Sequence, residues 1–140
     1  MSYETLHNTI RSRFGTKVET PYLSGKVMYD NAPFSEPGKT NWCRFTILPG
    51  DSEQEEFGGD TVKERIPGLA IAQLFGPQEK GDKDLLVLAD NIMAQFRRVV
   101  LSGLVFMTPK LDVVGFNGSE YQINVNIPFR YSVDTQKGSV

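Results

Sequence analysis

The chain has one histidine, His7, and one cysteine, Cys43, in 140 residues, and that scarcity limits the chemistry it can do. A zinc centre needs three or four ligands drawn from His, Cys and carboxylates, and one His with one Cys does not assemble a closed site. His7 lies in a helical pattern and reads as a structural or surface residue. Cys43 lies in an apolar, strand-like run with no histidine near it in sequence, so it reads as inert core sulfur. A Ser-His-Asp triad would have to use His7, and no G-x-S-x-G elbow occurs. Gly58-Gly59 is not followed by the Gly-Lys-Ser/Thr of a phosphate loop, and G-x-G-x-x-G is absent. The pair Glu55-Glu56 has the right groups for acid–base work or a hard cation but lacks alternating ligand spacing. The expectation is a protein that is not an enzyme and takes no metal or cofactor.

The residues that remain must be placed by secondary structure. Tyr3, Leu6, Ile10 and Phe14 recur at helical spacing, which predicts a helix over 3–14, capped by Ser2 and ended by Gly15. Asp82 opens a second helix to about Arg98, with Leu85, Leu88, Ala89, Ile92, Met93 and Phe96 in its apolar stripe. Trp42–Leu48 and Leu69–Phe75 alternate as strands, and Gly76-Pro77 stops the second. Asn117-Gly118 predicts a two-residue hairpin turn. After it the odd-numbered residues from Tyr121 to Val133 are all apolar, a strand with one buried face. Pro128 suggests that this strand is an edge or carries a bulge.

Composition narrows the class. Hydrophobic content of 39% with nine Phe supports a folded core, and the length suits one domain. No apolar run approaches the roughly 20 residues of a membrane helix, and MSYETLHNTI has neither the basic start nor the apolar core of a secretion signal. A net charge of −2 offers no basic excess for nucleic acid. Two small basic spots, Arg11/Arg13/Lys17 and Arg97/Arg98, fall at predicted helix C-termini, where cations are favoured anyway.

Two stretches are built unlike a plain core. Residues 27–50, VMYDNAPFSEPGKTNWCRFTILPG, read as strand, projecting turn and strand, with Phe34 and Trp42 as large apolar groups beside the turn. That feature is either a plug for the chain's own core or a contact for another chain. Residues 51–65 read as an acidic loop in which Asp51, Glu53, Glu55, Glu56 and Asp60 surround a lone aromatic, Phe57. It is either a solvated loop or an arm that orders on a basic surface of a neighbour.

The order NAPF at 31–34, WCRFTILPG at 42–50, FGG at 57–59, QLFGP at 73–77 and IPFRY at 127–131 resembles the tail terminator-like proteins of long-tailed bacteriophages. The likeness covers about residues 1–133. It implies a small structural virion subunit at the head-proximal end of the tail, assembled in the host cytoplasm. Copies form a homo-oligomeric ring, typically a hexamer, that caps the tail tube, ends its growth and prepares head joining. The implied partners are the chain itself, the tail tube protein and a head–tail connector or neck protein, with DNA only passing through and no membrane. A neck or head-completion adaptor or a tube-like subunit is the alternative; a metal- or ligand-binding α+β domain is the third reading. The expected fold is α+β: a single twisted, mainly antiparallel sheet of four or five strands with two helices packed on one face. Residues 1–133 form the domain and 134–140 a flexible C-terminal tail. The interface candidates are Phe34, Trp42, Glu53, Glu55, Glu56 and Phe57.

Overall fold

A computed structural model describes residues 3–35, 40–54, 61–77 and 82–136. Helix α1 spans Tyr3–Phe14 and buries Leu6, Ile10 and Phe14 of the stripe its spacing predicts, while Tyr3 at its start is exposed. It does not stop at Gly15. The chain continues as a wider π-helix, Gly15–Leu23, and the left-handed glycine comes only at Gly25 (φ 78°). Pro21 inside this segment has no N–H for an ordinary helical bond, while Val18 and Leu23 are both buried. The wider turn keeps those two side chains on the core side.

The strands are β1 (Val27–Tyr29), β2 (Trp42–Pro49), β3 (Glu53–Gln54), β4 (Thr61–Gly76), β5 (Val100–Leu101), β6 (Leu104–Phe106), β7 (Lys110–Phe116) and β8 (Tyr121–Gln136), with α2 (Lys83–Phe96) between β4 and β5. They form one eight-stranded sheet in the order β1-β2-β4-β8-β6-β5, with β3 also on β4 and β7 also on β8. The expectation of four or five strands is therefore wrong. β3, β5 and β6 are two or three residues long, too short for a period-two pattern to register. The sheet is also mixed: β1 runs parallel to β2, and every other pairing is antiparallel.

One face carries the core. Cys43, Phe45 and Ile47 stand opposite Leu74, Ala72 and Ala70, which stand opposite Ile123, Val125 and Ile127. All of these are buried beneath α1, the π-helix and α2. Phe14 stacks on Phe45 at 3.9 Å and lies 6.2 Å from Phe96, tying both helices to the sheet through aromatic rings. Asp82 stands at the start of α2 without a side-chain capping bond, and the helix ends at Phe96 because Arg97 turns extended (ψ 111°) to feed β5.

β8 is interior, not an edge. Pro128 is tolerated there because its outer neighbour changes from β6 to β7 beside it: Phe106 pairs with Phe129 and Lys110 with Asn126. Its carbonyl still accepts a bond from Met107 N–H at 2.9 Å, so only the missing donor faces the corner. The expected two-residue turn is a four-residue loop, Asn117–Glu120, in which Asn117 Oδ1 accepts from the backbone N–H groups of Ser119 and Glu120. β8 reaches Gln136 and pairs with β4 to its start, so residues 134–136 belong to the sheet and not to a tail.

Candidate assembly surfaces

The chain's one cysteine is placed out of reach. Cys43 is fully buried, and that burial, with a smaller push from the charge of Glu19, raises its thiol pKa far above the usual range. Burial of this kind is typical of structural, unreactive sulfur. His7 is half-buried on α1. Among the described residues no group of three or more His, Cys, Asp or Glu is placed to hold a metal, and no helix is long and apolar enough to cross a membrane.

The interface candidates scatter. Trp42 is 4% exposed, sandwiched between Phe34 at 5.5 Å and Phe75 at 4.4 Å, and its Nε1–H donates to Glu120 at 2.8 Å. The stack lies on the sheet face away from the helices and includes Arg44, 6.0 Å above the Phe75 ring. Trp42 is therefore a plug in a small second core, with half-buried Phe34 as its lid, and its indole offers nothing to a partner. Glu53 is on the surface, but it lies in a strand, not a loop. β3 pairs with Glu64 and Arg65 of β4, and the Arg65 guanidinium sits 3.5 Å from the Glu53 carboxylate. β4 also begins at Thr61, so the loop expected over 51–65 is strand at 53–54 and 61–65. Glu55, Glu56 and Phe57 lie outside the described residues.

Glu53 and Gln54 sit on a projection. β4 and β8 pair over sixteen residues each, roughly 50 Å of ribbon at strand rise. β2 leaves β4 at Gly68 and β6 leaves β8 at Tyr131. Beyond these points, among the described residues, only β3 pairs with the ribbon, which makes an arm.

Two features were not legible in the sequence. The first is β7, whose exposed apolar side chains are Leu111, Val113, Val114 and Phe116. β7 pairs only with β8, so among the described residues its outer edge is unpaired. Leu111 and Val113 face the same side as their buried partners Val125 and Ile123 but lie beyond the reach of the helices. Edge strands are usually blunted by charge, proline or brevity; this one has seven residues with only Lys110 and Asp112 charged, and its one irregularity is a bulge before Gly115 (φ 90°).

The second is the joining of the two basic spots. Arg13 Nε and NH2 both donate to Gln95 O, at 3.0 and 2.7 Å, and the guanidinium lies 5.8 Å from the Phe96 ring. Burial lowers the Arg13 pKa without discharging it. The C-terminal ends of α1 and α2 are thereby clamped together, with Lys17 on one side and the exposed Arg97 and Arg98 on the other. Arg11 instead sits over the Tyr29 ring at 4.4 Å.

Neither family models nor curated proteins match this chain. Among solved structures, one determined by NMR superposes with a TM-score of 0.71 at 14% identity, over 94% of this chain and 96% of that one. It is known by a serial designation that states no activity. The likeness shows a shared fold across nearly the full length of both chains.

Proposed function

We propose that this protein is a structural subunit of a long-tailed phage, joining copies of itself in a ring on the head-proximal end of the tail tube. The motif order supplies the setting. The single observation that carries self-assembly is β7, a seven-residue edge strand with four exposed apolar side chains. An edge of this kind is a template for another strand. The opposite lateral edge of the sheet is β1, three residues long and of different sequence. Contacts between unlike surfaces are head-to-tail, and they close into a ring when the rotation per copy divides a full circle. Such a ring on the tube end removes the surface on which the tube grows and leaves its far side for the head. Trapped core sulfur and a lone surface imidazole fit a part that acts by shape and charge.

Negative-stain microscopy of the protein mixed with purified tail tubes tests this. Single rings at tube ends, with tubes of limited length, are the expected result. A monomer that leaves tube length unchanged refutes the reading, and stacked polymers would make the protein a tube-like subunit instead.

A further inference from the structure

A groove runs between α1 and the β5–β6 turn. It consists of two adjoining hollows that share Thr9 and Leu101. The inner one, about 300 Å³, is walled mainly by Leu6, Leu101, Leu104 and Tyr131, with Thr5 and Ser102 at its border. Apolar cavities of about 150 Å³ already admit benzene, so it has room for an aromatic side chain. The outer one, about 470 Å³, is bordered by Ser12, Arg13 and Lys17, and the Arg13–Gln95 clamp brings Arg97 and Arg98 toward the same end. The groove is apolar at one end and cationic at the other.

One segment of the chain has the matching order: Glu53-Gln54-Glu55-Glu56-Phe57, carboxylates followed by a lone aromatic. We infer that this groove receives the acidic segment of a second copy, with Phe57 in the apolar hollow and Glu55 and Glu56 against Arg13 and Lys17. The inference rests on the ring reading and names its second contact. The spans are compatible: Leu6 to Arg13 is seven helical residues, about 10 Å, and Glu55 lies two extended residues, about 7 Å, from Phe57, with the glutamate and arginine side chains covering the rest.

The occupant is assigned to a second copy because, within one chain, the tether from Gln54 is too short. From β3 the order across the sheet is β4, β8, β6, β5, which puts Leu104 and Leu101 three and four strands away, roughly 14–19 Å. Phe57 is three residues beyond Gln54, a reach of about 10 Å. β3 is antiparallel to β4, so the chain leaves it toward Thr61, whereas Leu104 is level with Ile66 through Tyr131. β3 itself, up to Gln54, thus runs away from the level of the groove. Two cations at the groove, Arg13 and Lys17, matched by two of the chain's own carboxylates suit this partner better than the repeating phosphates of DNA.

A fluorescent peptide of residues 51–57, titrated into the full-length protein by anisotropy, tests the groove without requiring a ring. It should bind, weaken with salt, lose at least tenfold affinity with Phe57→Ala in the peptide, and lose at least fivefold with Lys17→Glu in the protein. No binding, or equal binding by the Lys17→Glu variant, overturns the inference. Thr9→Cys combined with Phe57→Cys, oxidised while Cys43 stays buried, should give disulfide-linked oligomers on a non-reducing gel; an internal bridge within one chain overturns the second-copy occupant. Rings that still cap tubes when the peptide fails to bind leave the function standing and sink only this contact.

Discussion

Replacing Val113 by lysine tests the edge of β7 at its middle. Leu111, Val113, Val114 and Phe116 are 41–57% exposed. Full burial of such side chains is worth about 1.5–3 kcal/mol, so roughly half, on the order of 1 kcal/mol each, is left for association to gain. Val113→Lys removes about 1 kcal/mol of this and adds the cost of desolvating an ammonium or bending it away. A loss above about 1.4 kcal/mol, a tenfold weaker self-association, follows. In the isolated subunit the new lysine points into water, where surface changes alter stability by only about 0.5 kcal/mol. Sedimentation velocity over a wide concentration range, with and without tail tubes, reads the association, and urea unfolding reads the fold. Unchanged association would show that β7 does not join copies. A lowered urea midpoint would show that the edge matters to the subunit itself.

Three further outcomes follow from the packing. Phe14→Ala empties a fully buried position that stacks on Phe45 at 3.9 Å and should cost about 3–5 kcal/mol in urea unfolding; near-native stability would mean the helix–sheet seam can collapse. Gly68→Ala puts a Cβ against the Phe129 ring and 2.8 Å from Leu48 O, a clash that should cost about 1–3 kcal/mol and lower the melting temperature; an unchanged melt refutes the close approach. Tyr29 donates to Glu19 Oε1 at 2.6 Å, and burial, then that bond and the Glu19 charge, hold its pKa above the ordinary 10.0, as burial holds Cys43 above 9.0. Groups raised on folding stabilise below their unfolded pKa and lose that contribution as pH climbs past it. The urea midpoint should therefore fall as pH rises through 9 and 10, less steeply in Tyr29→Phe, and a flat alkaline profile would refute this.

The long amphipathic patterns were legible. α1, the buried stripe of α2 and the apolar face of β8 all follow periods written in single residues. Boundaries failed where a neighbour decided them. Gly15 looks like a helix stop, yet burial of Val18 and Leu23 carries the turn onward. Pro128 looks like an edge marker, yet a change of partner strand beside it lets an interior strand accept it. Trp42, beside a proline-rich turn, looks like a contact residue, and only Phe34 and Phe75 closing on either side make it a plug.

Residue types alone decided that one histidine and one cysteine cannot build a closed zinc site, and that two helices must lie on an alternating sheet, because counts and periodicities are properties of the chain. Which strand lies at the edge, which half-apolar strand lies beyond helical cover, and which cations share an end depend on partners distant in sequence. Arg13 and Gln95 are 82 residues apart, and no local pattern records that they meet. Assembly surfaces are what folding leaves unpaired, and only the closed tertiary structure shows which edges those are.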